Sequence, residues 1–397
     1  MSRQLINLSP DLLALVDDGY ELDIVEGYLV IYNVPYVNAQ REVRRGTLIS
    51  ELGDVAGDKI RNPNTHVALF AGEYPCDRNG NKLEKIVNSV KRKVLSNELV
   101  ADFSFSSKPC GADGYDNFYE KMATYIAILS THAQAIEPSA TAQTRRIIET
   151  SDEGAVFKYV DTASSRAGIT MLNDRIELGK VAIVGLGGTG SYVLDLMVKS
   201  PVGEIHLFDG DDFLQHNAFR SPGAASIEEL KSIPKKVDYY AHRYQPMRHG
   251  IVAHDFHIDT TNVGLLEDMD FVFICVDRGD VKQPIVEKLE ALDISFIDVG
   301  MGLVLANDKL QGIIRVTAST PEMRNHVRDK KRIAFHGGAV DDAYTQNIQI
   351  PELNALNATL AVIKWKKIYG YYADIDKEHF ITYTLEDNKI SNEDIAP

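Results

Sequence analysis

The segment that most constrains this chain is Lys180-Val-Ala-Ile-Val184 followed at once by Gly185-Leu-Gly-Gly-Thr-Gly190 and an apolar-spaced stretch through Tyr192, Leu194 and Val198. The apolar run reads as a buried strand and the later spacing as a helix. Between them, glycines without Cβ atoms let backbone N–H groups approach a phosphate at the helix N-terminus. The same glycines also serve a tight strand-to-helix turn that binds nothing, so the loop alone leaves both readings open. A second strand, Glu204-Ile-His-Leu-Phe208, ends at Asp209, nineteen residues after Gly190. A carboxylate at that place accepts hydrogen bonds from ribose hydroxyls.

Further strands are predicted at about 251–257, 271–276 and 294–299, with helices at about 227–246, 280–292 and 353–369. Strand and helix in alternation define an α/β, Rossmann-like domain with a mostly parallel sheet flanked by helices, assigned to 180–397. Ahead of it, 1–145 reads as an α+β module. Tyr28–Tyr32 and Val67–Phe70 look like half-buried strands there, and Phe118, Met122, Tyr125, Ile126 and Leu129 have helical spacing. The polar run Glu137–Arg146 opens a linker with leading helices over 146–179.

At 397 residues the chain is long enough for two or three domains. Acidic residues outnumber basic ones by 57 to 42, and the formal charge of −15 disfavours nucleic acid and anionic membrane as partners. The most apolar window, 181–198, contains the loop glycines and Asp195, which argues against a membrane span. No signal peptide is evident in the first twenty residues, which carry Asp11, Asp17 and Asp18. Cys76, Cys110 and Cys275 never form a CxxC pair, so neither disulfides nor a structural zinc are expected, and a reducing, cytoplasmic setting is. His242, His249, His254 and His257 fit no metal-ligand spacing.

The continuation Asp209-Gly-Asp-Asp-Phe-Leu-Gln-His-Asn-Ala-Phe-Arg220, then Lys235-Lys-Val237 and Cys275-Val-Asp277, separates the readings. On these residues, over about 160–370, the chain resembles the ThiF/MoeB/E1 superfamily of ATP-dependent activators of ubiquitin-like β-grasp proteins. With its extra N-terminal module it looks like a bacterial E1-like protein of a ubiquitination-like system. The resemblance implies ATP and Mg²⁺, with Gly185, Gly187, Gly188 and Gly190 at the phosphates, Asp209 at the ribose and Asp211 supporting metal or loop. It also implies that Asn217, Arg220 and a lysine, Lys236 with Lys235 as the alternative, meet the phosphates, and that Asp277 holds Mg²⁺. Arg166, with Arg175 as the alternative, would supply an extra arginine across a homodimer interface. Arg220 and Lys236 could instead be solvated surface cations, and Asp277 a helix cap. The implied reaction is adenylation of the C-terminal carboxylate of a β-grasp protein, then transfer to an acceptor such as an E2-like partner, with the N-terminal module recruiting a partner. The alternatives are an NAD-binding oxidoreductase or nucleotide sensor on the same loop, and adenylation of a small-molecule carboxylate.

Many relatives of that superfamily pass the acyl group to a later cysteine, but no cysteine follows Cys275, which itself sits in an apolar strand where an inert thiol is expected. No thioester on this half is therefore predicted. Three outcomes are left: the reaction stops at the adenylate, the acyl group is handed directly to a partner, or an oxyester forms on Ser319 or Thr320 using His326 or His336 as base. Gly337 and Gly338 read as part of a crossover loop or a surface turn.

Overall fold

The computed structural model describes residues 5–6, 9–53, 55–56, 59–96, 99–109, 114–150, 154–167, 169–335 and 348–396. The chain divides into two compact units, Met1–Ile148 and Glu149–Pro397.

The first unit is an antiparallel sheet with helices that include Pro10–Asp17 and Phe118–Gln134. Its strands are β1 (Leu22–Val25), β2 (Tyr28–Val37), β3 (Val43–Glu51), β6 (Val67–Ala71), β7 (Val87–Val94) and β8 (Val100–Ser106), in the order β1-β2-β3-β6-β8-β7; β4 (Val55–Ala56) and β5 (Lys59–Ile60) form a separate pair. The helix Phe118–Gln134 starts at Asn117, whose side chain accepts the Glu120 N–H at 2.8 Å. Its apolar stripe of Phe118, Met122, Tyr125, Ile126 and Leu129 joins Phe70 and Phe105 in one buried core. Lys121 falls on the same side and is fully buried. Burial pulls its ammonium down to about 8, and it donates to Ser50 Oγ and the Thr65 carbonyl, both at 2.8 Å.

The second unit is an eight-stranded sheet in the order β11-β10-β9-β12-β13-β14-β15-β16. Here β9 is Lys180–Val184, β10 Glu204–Phe208, β11 Ile251–His254, β12 Phe271–Ile274, β13 Ser295–Ala306, β14 Lys309–Ser319, β15 Glu378–Thr384 and β16 Lys389–Ile395. From β11 to β13 neighbours run parallel, and from β13 to β16 antiparallel. The glycine-loop helix Gly188–Met197 and the C-terminal helix Pro351–Ile368 share the main core, with Val193, Leu194, Ala358 and Trp365 buried. Because β9 has β10 on one side and β12 on the other, the strand order reverses at β9. Its C-terminal end is therefore the crevice where ligands of open α/β sheets sit.

Two expectations from the sequence are corrected here. The helix expected over 227–246 is two, Ile227–Ser232 and Lys236–Tyr244, because Ile233 turns left-handed at φ +46° and Pro234 follows. The break matters, since it brings Lys235 and Lys236 to a helix start. The strand expected at 294–299 runs on to Ala306 and turns back at Asn307 and Asp308, both at positive φ, a hairpin-turn pair. Ser319 therefore ends a strand instead of lying in a loop. Among the described residues no helix is long and apolar enough to cross a membrane.

Candidate active site

The glycine loop is built by close contacts. Gly185 has φ +93°, and a Cβ there would stand 2.9 Å from Val276 Cγ1. A Cβ on Gly190 would lie 1.9 Å from the Gly185 oxygen, and one on Gly188 would lie 2.0 Å from Asn354 Nδ2. Gly187 differs, since among the described residues nothing stands within 4 Å of the place its Cβ would take, and it borders a cavity. Distant side chains hold the loop open. Leu186 N–H donates to Asp209 Oδ2 at 2.7 Å, Gly188 N–H to Gln349 Oε1 at 3.2 Å, and Thr189 Oγ1 to Asn354 Oδ1 at 3.1 Å.

The cavity beside the loop has a volume of about 570 Å³. It gathers Gly185, Gly187, Gly188, Asp209, Asp211, Arg220, Lys236 and Asp277 from segments far apart in the chain. Lys236 is buried, and its Nζ lies 2.6 Å from Asp211 Oδ2 and 3.4 Å from Asp209 Oδ1. Burial pushes the Asp211 carboxyl up, but the Lys236 hydrogen bond and charge outweigh it and hold that carboxyl below the usual range. His257 adds an imidazole 3.4 Å from Asp211 Oδ1. Arg220 reaches the cavity with its Nε buried and without a hydrogen-bond partner among the described residues.

A second charged group on the cavity wall escaped the sequence reading. Asp298 in β13 is fully buried and paired with Lys282 Nζ at 2.5 Å and Arg315 Nη2 at 2.9 Å, and both cations line the cavity. Lys282 falls one turn into the helix Gly279–Ala291, five residues after Asp277, and Arg315 lies in β14. The antiparallel register of β13 and β14, with Thr317 opposite Asp298 and Arg315 opposite Gly300, brings Arg315 near Asp298. Nothing local in the sequence marks this pairing. Gln349 and Asn354 were missed for the same reason.

Other expected residues fall elsewhere. Asn217 does not border the cavity; its Oδ1 accepts the Leu214 N–H at 2.8 Å and its carbonyl the Arg220 N–H at 3.1 Å, so it builds the turn that presents Arg220. Lys235 points away from the cavity, bound to the Gly210 carbonyl and Asp212, each at 3.0 Å, and that hydrogen bond to Asp212 raises its ammonium. Arg166 ends the short helix Thr162–Arg166, and its side chain lies outside the described residues; Arg175 donates to the Gly370 carbonyl. Ser319 and Thr320 are buried and border no part of the cavity, and Thr320 Oγ1 is bonded to His379 Nε2 at 3.0 Å. Burial pulls His326 down to about 4. The oxyester route through these hydroxyls is thereby corrected: neither is exposed to an acyl group in the cavity. His336, Gly337, Gly338 and Cys110 lie outside the described residues. Cys275 is half-buried and borders the cavity, and desolvation pushes its thiol up, as burial also raises Cys76.

Residues 163–330, within the second unit, match the ThiF family model. Residues 10–162 match the model of a domain of unknown function, DUF6791. Among named proteins, the chain is 27% identical over 165 residues to the ubiquitin-like modifier-activating enzyme 5 of Gallus gallus, covering 38% of this chain and 41% of that protein. It is 28% identical over 153 residues to the enzyme of the same name from Rattus norvegicus, covering 35% and 37%. The chain thus spans less than half the length of these relatives. Among solved structures, E. coli MccB with ATP is similar at a TM-score of 0.45 and 17% identity, over 59% of this chain and 70% of that one.

Proposed function

We propose that this protein activates the C-terminal carboxylate of a ubiquitin-like β-grasp protein by adenylation. The observation that carries the reading is the convergence of Arg220 and Lys236 with Asp277 on one cavity beside the glycine loop, whose far wall adds Lys282 and Arg315. In the reaction a carboxylate oxygen bonds to the α-phosphorus of ATP while the bond to pyrophosphate breaks. The attacking group is already ionised, so no general base is required. Negative charge builds on the phosphate oxygens, and positioned cations stabilise that charge. Arg220, with Nε buried and unpartnered, is the cation with open donor capacity on the loop side. Lys236 is the better-placed lysine, because Lys235 is turned toward Asp212 and Asp255. Asp209 would receive the ribose and Asp277 would hold Mg²⁺, whose charge would offset that of the polyphosphate. A hydride-transfer site has no need of this many cations.

Hand-off from the adenylate would go directly to a partner nucleophile, E2-like or other, since burial holds the Cys275 thiol in its unreactive protonated form although the residue borders the cavity, and Ser319 borders no part of it. Carboxylate-dependent exchange of labelled pyrophosphate into ATP tests the reading. Exchange that appears on adding a β-grasp protein and vanishes when its C-terminus is amidated supports it; absence of exchange with any such protein contradicts it.

A further inference from the structure

The strand order gives the two halves of the cavity different neighbours. The glycine loop follows β9 and Asp209 follows β10, whereas Asp277 follows β12 and Gly300, Gly302 and Arg315 belong to the β13–β14 hairpin on the far side. A nucleotide seated on the loop with its ribose at Asp209 leaves the hairpin side for the second reactant.

That side carries a prepared cation. Arg315 lies across the backbone of Gly300, where an added Cβ would stand 2.6 Å from Nη2. Its Nη2 is held by Asp298 at 2.9 Å, while its Nε is buried and has no hydrogen-bond partner among the described residues. Lys282 shares the same carboxylate. Two cations on one anion leave a formal positive charge at the wall, and such a charge is stabilised when an anionic ligand completes it. Gly302 lies on the same strand face as Gly300, and among the described residues nothing stands within 4 Å of its missing Cβ. Bare peptide backbone therefore borders the cavity beside the guanidinium.

We propose that Arg315 binds the carboxylate to be activated, positioned by Asp298 and Lys282, and that this carboxylate ends an extended peptide whose last residue is small. The assignment rests on the adenylyltransferase reading above. Arg315 donates to one carboxylate oxygen and leaves the other to form the bond to phosphorus; no proton changes place. A small terminal residue lets the chain lie against the bare backbone at Gly302.

The test is calorimetric titration of the full chain, first with a non-hydrolysable ATP analogue. The analogue-saturated protein is then titrated with a short peptide ending in glycine, as the free acid and as the amide. Wild-type protein should prefer the acid by about 10- to 100-fold, the weight of a hydrogen bond to a charged group. Arg315→Gln should abolish that preference and leave analogue affinity within about twofold. Gly300→Ala, which keeps the charge but takes the seat of the guanidinium, should do the same, and Arg315→Lys should restore part of the preference. An unchanged acid preference in Arg315→Gln overturns the assignment. So does a variant that loses analogue affinity but keeps the preference, since Arg315 would then be a polyphosphate ligand. Wild-type protein that binds the analogue without discriminating acid from amide overturns the Arg315 assignment alone. Failure of wild-type protein to bind the analogue removes the nucleotide reading beneath it.

Discussion

Replacing Asp298 by Asn keeps its shape and removes the only charge shared by Lys282 and Arg315. The carboxylate is fully buried, the Lys282 side chain is 5% exposed and that of Arg315 25%. After the change Lys282 keeps a carbonyl, that of Val299 at 3.4 Å, and faces a guanidinium of like charge. Breaking a buried ion pair by removing one partner costs about 3–5 kcal/mol. The lower end applies here, because Arg315 can turn toward the cavity. For a unit of this size about 3 kcal/mol corresponds to a fall in Tm of roughly 6–12 °C. Trp365 is the single tryptophan and is buried in the core of the second unit, so its fluorescence during urea unfolding reports this unit. The double variant Lys282→Met/Asp298→Leu should recover most of the loss, since apolar replacement of a buried pair is often neutral. A loss below about 0.5 kcal/mol in Asp298→Asn, or a double variant no better than the single one, would refute the picture of a coupled buried network.

Arg220→Ala and Asp277→Ala should each slow adenylate formation by about two to three orders of magnitude while folding survives, read by pyrophosphate exchange and circular dichroism. Lys236→Ala should be far more damaging than Lys235→Ala; equal effects would place the lysine differently. Gly190→Ala puts a Cβ 1.9 Å from the Gly185 oxygen and should lower both stability and nucleotide affinity, whereas Gly187→Ala, with open space around it, should affect affinity alone. Buried His326 is held down to about 4, below its ordinary value of 6.5, so it is neutral in the folded state where the unfolded chain would be charged. The stability this difference contributes is present above about pH 6.5 and is lost as pH falls toward 4; His326→Gln should flatten urea midpoints across that window.

Legibility of the site in the sequence followed distance along the chain. The loop glycines, Asp209 and Arg220 are close neighbours in sequence, fixed by one strand-loop-helix-strand unit, so their order alone pointed to a nucleotide. Asp277 could be placed because it ends a plainly apolar strand. Lys282, Asp298, Arg315, Gln349 and Asn354 meet only through the sheet register and the C-terminal helix, and each alone resembles an ordinary surface residue. Ser319 was misjudged because the β13–β14 hairpin is much longer than its apolar stretch suggests. The split of the 227–246 helix was legible in Ile233-Pro234, because proline biases the residue before it away from the helical region.

The central claim is that a substrate carboxylate attacks the α-phosphorus of ATP, and oxygen tracing tests it most directly. A β-grasp protein whose terminal carboxylate carries ¹⁸O is incubated with ATP, the protein and an acceptor amine, and the products are separated for mass spectrometry. Transfer of the acyl group breaks its bond to the bridging oxygen, so one labelled oxygen should remain in AMP and none in pyrophosphate. Label in pyrophosphate or inorganic phosphate, or acyl transfer that leaves AMP unlabelled, would contradict the account.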